Sequence, residues 1–397
     1  MGGGFLALSP QPAPAQGRIA ALPSRFSTVE RNLRWTSVRS MMHRDKFDCL
    51  ITPAGNGDAA ADSLYLTQQA GWVVFPLEGG AVLITDQRTP PQPDDWVKDV
   101  RVTRDGRWSP LLVDALREMK LDAARVGIGR LAGAPRNVDG DVSFSILDSL
   151  QRAFAKARFE SATDQLVRVK LNRSAEEITL LEHVTSASER GVAALKAAAR
   201  PGAWHKDVWL AVFAALHEAT GEPPARLAMR AGDEANTSTG GPMLERLESG
   251  RILNQEIAAQ ALNHMAQVNH SMVVGDAPPQ WADAAKYCVD VFNELVEWIR
   301  PGRRFMDFCK LYAERAVERT PGLSPTWVLV HTCGLGDGPR MGAGRSEMTD
   351  LVIEPTMVFT LKPRIVIPGV KPSVQVGDPI LVTTNGARRL GKRALGM

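Results

Sequence analysis

The residue types that most often carry chemistry are sparse in this chain, with seven His and four Cys among 397 residues. Cys49, Cys288, Cys309 and Cys333 form no CxxC pair, so the spacing of a zinc ribbon and that of a disulfide framework are both absent. Such thiols fit a reducing cytoplasm. Cys333 follows His331 by two residues, which on a strand says little about a thiolate pair. The run Gly334-Leu335-Gly336-Asp337-Gly338 lacks the Lys-Ser/Thr and the following helix of a phosphate loop, so nucleotide binding is not supported. Asn236 and Thr239 lie in a Gly/Ser/Thr-rich loop that can offer hydroxyl and amide hydrogen bonds, or be a plain turn. His264 and His270 flank Gln267. Strand alternation puts Met265, Gln267 and Asn269 on one side and both histidines on the other.

Charge excludes one class of partner. Forty-seven Lys+Arg against 44 Asp+Glu leave a formal +3, and the longest basic cluster sits in the tail at Arg388, Arg389, Lys392 and Arg393, so a nucleic-acid surface is not expected. With 44% hydrophobic and 23% charged residues the chain has a globular composition and is long enough for two domains. Met1 to Gln16 carry no basic n-region and only a short apolar stretch, so neither a signal peptide nor a membrane span is read there. Residues 1–25 are read as a mobile arm.

The elements that must position these residues follow from periodicity. A helix around Trp35 to Met42 leads into the strand Cys49 to Thr52; further strands are Trp72 to Phe75, Ala81 to Ile84 and Arg125 to Ile128, with a helix at Leu111 to Met119. This is an α/β unit. Past a boundary near 160–175, Glu176 and Glu177 open a long helix with Ile178, Leu181, Val184, Val192 and Leu195 on one face. It stops at Pro201-Gly202. A second amphipathic run, Ala284 to Ile299, stops in the same way at Pro301-Gly302, and each stop leads into another helix, Asp207 to Glu218 and Met306 to Glu318. Strands follow each copy: Ile252 to Ala261 and Met265 to Val274 after the first, Trp327 to His331, Met357 to Leu361 and Ile380 to Thr384 after the second. Two similar α+β halves would pack together, with a small ligand in the groove between them.

This duplicated layout behind a smaller α/β domain, with Lys170, Glu176-Glu177-Ile178 and the closing Val382-Thr383-Thr384-Asn385-Gly386, resembles the creatinase / Xaa-Pro aminopeptidase / methionine aminopeptidase superfamily, peptidase family M24. The resemblance implies an α/β N-terminal domain over 26–165 and an α+β pita-bread domain over 166–397 with an internal pseudo-two-fold repeat. It also implies a homodimer.

The same resemblance implies a site. Members usually hold two divalent metals with two Asp, one His and two Glu. Counted by motif, those positions fall on Glu256, Gln267, His331, Lys362 and Gly377, with Asp378 next to the last. The His that creatinase uses without metal would fall on Thr239, and a second family His on Gly338. One carboxylate in place of four does not neutralise two dications, and Lys362 adds a like charge, so no metal and no other cofactor is expected. Glu256 and Lys362 are expected to pair. The pair either plugs a dead site or presents Lys362 to a substrate carboxylate or carbonyl. His331, Lys362 and Glu256 are the expected catalytic residues; Gln267, Thr239, Asn236, Asp337 and Arg340 are the expected substrate contacts. The implied function is a metal-independent, creatinase-like hydrolase or lyase acting on a small polar molecule. The alternatives are a non-catalytic binding or scaffold protein, and a mononuclear metallohydrolase using Glu256, His331 and Asp378.

Overall fold

The computed structural model describes residues 24–397 apart from 56, 87–94, 134–138, 233–239, 309, 312–328, 337–339, 343–344, 347–349 and 368–371. The described residues begin at Ser24. Arg25 pairs with Asp95 and Phe26 is buried, so the described end of the expected arm is docked. Helix α1 (Thr28–Asp45) starts where the Ser27 hydroxyl accepts the Glu30 backbone N–H.

The first layer is a six-stranded sheet in the order β4 (Asp99–Val102), β3 (Val82–Thr85), β2 (Trp72–Pro76), β1 (Cys49–Thr52), β5 (Arg125–Ile128), β6 (Arg158–Ser161). Alternate residues of its central strands go to opposite cores. Leu50, Val73 and Phe75 meet α1, α2 (Ala61–Thr67) and α5 (Thr163–Val169), whereas Cys49, Ile51, Trp72 and Val74 meet α3 (Ser109–Glu118) and α4 (Phe144–Ala153). Burial on both faces explains why these strands read as continuous apolar runs.

The second part begins with α6 (Ala175–Ala198), whose first turn is closed by a reciprocal capping box between Ser174 and Glu177. With α7 (His205–Thr220) it covers one face of an antiparallel sheet ordered β11 (Gly334–Leu335), β9 (His264–Val273), β8 (Ile252–Ala261), β7 (Arg226–Ala231). Helix α8 (Pro279–Trp298) covers the other sheet, ordered β13 (Arg345–Ser346), β12 (Arg340–Gly342), β10 (Leu329–Thr332), β14 (Val358–Lys362), β17 (Asp378–Val382), β18 (Ala387–Arg389). A short hairpin of β15 (Arg364–Val366) and β16 (Ser373–Gln375) extends from the end of β14. The two large sheets touch where Asn269 and Gly377 exchange both backbone hydrogen bonds, at 3.0 and 3.1 Å.

The two Arg-Pro-Gly stops have the same local geometry. Gly202 and Gly302 both sit at positive φ, 83° and 85°, a conformation glycine adopts without a Cβ penalty. The Gly202 N–H donates to Leu247 O at 2.7 Å and the Gly302 N–H to Ile353 O at 2.8 Å. The helix expected over Met306 to Glu318 passes out of the described residues after Leu311. Among the described residues no helix is long and apolar enough to cross a membrane.

Candidate functional site

The β8–β9 hairpin turns through Leu262 and Asn263, both at positive φ, the two-residue turn whose twist matches the flanking strands. That turn fixes the register, which sets Glu256 directly opposite Asn269. Ile257, Ala259, Ala266 and Val268 go to the helix core; Glu256, Gln267 and Asn269 point the other way, toward the second sheet. From that sheet β14 contributes Thr360 and Lys362, and β10 contributes His331 opposite Thr360.

These side chains form one continuous polar cluster. Lys362 Nζ lies 3.1 Å from Glu256 Oε1, and Arg226 donates to the other carboxylate oxygen. Asn269 Nδ2 approaches Glu256 Oε1 at 3.5 Å, Gln267 Nε2 donates to Asn269 Oδ1 at 3.3 Å, and His331 Nε2 lies 3.2 Å from Gln267 Oε1. Gln267, Asn269, His331 and Lys362 are buried, while the Arg226 side chain is 29% exposed at the rim. Burial alone would raise the Glu256 carboxyl, but the charges of Lys362 and Arg226 and their hydrogen bonds outweigh it and bring the group down to about 2. Glu256 is therefore ionised at neutral pH. Thr360 Oγ1 meets Cys333 Sγ at 2.6 Å, and burial pushes that thiol up, which leaves it inert.

The sequence model of metallopeptidase family M24 matches residues 179–384. The chain belongs to metallopeptidase family M24. Among curated proteins this M24 chain is 22% identical to the Xaa-Pro dipeptidase of Pyrococcus horikoshii over 321 residues, 80% of this chain and 88% of that one. It is 22% identical to the Xaa-Pro dipeptidase of Pyrococcus furiosus over 262 residues, 64% and 73% of the two chains. Among solved structures, the Xaa-Pro dipeptidase from Bacillus anthracis has a TM-score of 0.77 at 17% identity, over 92% of this chain and 99% of that one. The prolidase from Pyrococcus horikoshii has a TM-score of 0.74 at 19% identity, over 92% and 99%. These structures show the fold. The names of the relatives are those of peptide hydrolases, and this overturns the expected creatinase-like hydrolase or lyase acting on a small polar molecule.

The donor set at the positions that the motif count assigns to the metals does not fit a pair of divalent cations. Its one carboxylate, Glu256, already faces two cationic side chains. Gln267 offers a neutral amide oxygen, and His331 Nε2 is turned to that oxygen. Gly377 has no donor side chain, and a Cβ added there would stand 2.8 Å from the Asn269 side chain and 3.0 Å from Lys362 Cγ, so the space for a carboxylate is already filled. Asp378 points away, tied to Arg389 at 2.9 Å and to Arg393. The expected mononuclear alternative with Glu256, His331 and Asp378 therefore fails on the direction of Asp378. Among the described residues no group of three His, Cys, Asp or Glu is placed to hold an ion.

Of the expected site residues, Glu256, Gln267, His331 and Lys362 converge. Arg340 lies on β12 with its backbone opposite His331; Asn236, Thr239 and Asp337 lie outside the described residues. His264 and His270 are turned from the cluster, His264 to Glu177 at 3.1 Å and His270 into the helix side of the sheet. Sequence reasoning missed Asn269 and Arg226 as members. Asn269 carried a signal, since it shares a strand face with Gln267. Arg226 carried none, because β7 is short and lacks a clean apolar alternation.

Proposed function

We propose that this M24 protein acts on short peptides, with peptide-bond hydrolysis as the reaction class, and that the Glu256–Lys362 cluster is where the peptide is held. The observation that carries this reading is the buried ammonium of Lys362, fixed by Glu256 at the meeting of the two sheets, within a chain similar to Xaa-Pro dipeptidases. Lys362 is a compact three-donor ammonium, and donation from it to a peptide carbonyl or carboxylate oxygen is the contact proposed here. Donation to an acyl oxygen stabilises the charge that develops there as the carbon is attacked. Arg226 at the rim is placed to steer an acidic terminus inward.

Release of free amino acids from a panel of Xaa-Pro dipeptides tests the reading, run on the wild-type chain and on Lys362→Arg. Cleavage by the wild type that drops at least tenfold in a folded Lys362→Arg variant supports it. No cleavage of any dipeptide, or equal cleavage by both, contradicts it.

Three coarser features belong to the same proposal. The N-terminal unit spans 26–165 and the M24 unit 166–397. The matched turns at Gly202 and Gly302 support duplication of the two halves about a pseudo-two-fold axis. The protein is a homodimer, supported by exposed Trp204, Leu210 and Leu244 on the α7 side; a monomeric mass at micromolar concentration would refute the dimer.

A further inference from the structure

Where the N-terminal part meets the M24 part, the chain encloses a cavity of about 250 Å³. Phe26, Leu64 and Trp96 bound it from the N-terminal side, and Leu262 and Leu335 from the other. This apolar wall carries two donors that are not spent. Arg34 and Trp96 both line the cavity and are each 2% exposed, yet neither Arg34 Nη2 nor Trp96 Nε1 has a hydrogen-bond acceptor. Arg34 Nη2 touches Glu177 Oε1 at 3.4 Å without hydrogen-bond geometry, while Nε and Nη1 of the same guanidinium donate to Glu30 and to the Tyr65 carbonyl. The guanidinium carbon lies 5.5 Å from the Trp96 ring centroid, so the two donors border the same space.

Other polar groups of the wall are engaged. His264 sets one ring nitrogen against Leu262 O at 2.8 Å and the other against Glu177 at 3.1 Å. Gln68 spends its amide on the Phe26 backbone, accepting the N–H at 2.7 Å and donating to the carbonyl at 3.3 Å. Among the described residues no Asp or Glu lines the cavity. A buried donor without an acceptor is costly, and two of them bordering one enclosed space call for a group that only accepts.

We propose that this cavity is a binding site for a small organic carboxylate, whose two oxygens accept from Arg34 Nη2 and Trp96 Nε1 and whose apolar body lies against Phe26, Leu64 and Leu335. Water is the competing occupant. A water that accepts from both donors has two hydrogens of its own to place, and no buried side-chain acceptor of the described wall is without a partner. A carboxylate has no hydrogen to place, and its bond to a guanidinium is charge-assisted. None of Glu256, Gln267, His331 or Lys362 lines the cavity, so the site reaches beyond peptide hydrolysis. Because both parts of the chain form the wall, an occupant also holds them together, and its binding raises the stability of the folded state.

Spectra that correlate ¹⁵N with ¹H in protein labelled at tryptophan show the indole N–H groups of nine tryptophans. Trp96→Phe, which keeps an aromatic ring and loses the donor, identifies the signal of Trp96. The probes are acetate, butyrate and benzoate, with benzyl alcohol as the uncharged counterpart of benzoate. The expected result is a saturable downfield move of the Trp96 signal with at least one carboxylate and none with benzyl alcohol. Calorimetric titration of that carboxylate should show at least tenfold weaker binding by Trp96→Phe. The move should persist in Lys362→Met, whatever becomes of dipeptide binding in that variant. If no indole signal of the wild type moves saturably with any of the three carboxylates, water alone serves the donors and the proposal is overturned without any variant having to fold. An equal move with benzyl alcohol overturns the carboxylate, unchanged affinity in Trp96→Phe overturns the contact, and loss of the move in Lys362→Met overturns the separateness of the site.

Discussion

Two of the polar clusters among the described residues differ in charge balance and in access. At the junction of the N-terminal sheet with α6, Glu30 and Glu177 face Arg34 and Arg173. Arg34 Nε lies 2.6 Å from Glu30, and its guanidinium sits 4.4 Å from the Phe26 ring centroid and 4.7 Å from that of Tyr65. His264 closes the set at 3.1 Å from Glu177. Two acids meet two guanidiniums in a shell of aromatic rings. In the second cluster the carboxylate of Glu256, the one acid there among the described residues, meets both Lys362 and Arg226, with amides beside it and one cation reaching the rim. A buried cluster whose acids and guanidiniums match in number holds two parts of a chain together; a cluster at the meeting of two sheets, with a cation at its rim, is the one proposed to meet the peptide. A cavity of about 250 Å³ lined by Phe26, Arg34, Trp96 and His264 lies beside the first cluster, and a larger one of about 890 Å³ is lined by Trp72, Trp108 and Asp141 of the N-terminal part, so empty space does not single out the Glu256 cluster.

The largest effect is expected from opening the balanced cluster. Glu177→Ala leaves two buried guanidiniums, Arg34 and Arg173, with Glu30 as the remaining acid of the set and should cost about 3–5 kcal/mol, read by urea unfolding. Unchanged stability would show that those guanidiniums find other partners. Lys362→Met leaves Glu256 with Arg226 alone and should cost about 3 kcal/mol, at the lower end of the same range. A cost larger than that of Glu177→Ala would reverse the contrast between the clusters.

Acid should weaken the fold through its neutral, buried histidines. Burial holds His205 at about 4 and His270 at about 3, and lowers His264 despite its bond to Glu177. Below the ordinary histidine value of 6.5 the unfolded chain binds protons that the folded chain refuses, so stability falls as pH drops from about 6.5 toward 4. The slope is about 1.4 kcal/mol per pH unit for each such histidine. Glu177 and Glu256, both held below the usual carboxylate range, add to the loss beneath about pH 4.5. Flat stability between pH 6.5 and 4.5 would contradict this. The smallest effect is expected at the rim: Arg226→Gln should change stability by less than about 1 kcal/mol while weakening peptide binding several-fold. Loss of folding in that variant would place Arg226 with the structural cluster instead.

Much of the scaffold was legible because it is written in local pattern. The alternation along Ile252 to Ala261 and Met265 to Val274, the Pro-Gly stops and the capping acids of α6 are all short-range signals. The approach of Lys362 to Glu256 was also reachable, through the motif count that carries the M24 resemblance. What was not legible depends on register between distant segments. The tail basic residues looked like a charged cluster, yet Arg389 and Arg393 are latches on buried Asp378, and Arg393 also donates to Asn269 O and Gly377 O at 3.1 and 2.9 Å. Glu177 read as a helix-start acid, and its second role with Arg34 and His264 needed the packing of α1 against α6. The reaction class is not legible at the ligand positions, because the exchange of carboxylates for Gln267, Lys362 and Gly377 says nothing about which bond is attacked.

Calorimetric titration of a Gly-Pro dipeptide into the wild-type protein and into Lys362→Met, both confirmed as folded, tests the central claim most directly, that the fixed ammonium in the M24 site holds the peptide. The account predicts measurable binding by the wild type and at least tenfold weaker binding by the variant. Equal affinity in the two proteins, or no binding to the wild type, would contradict it.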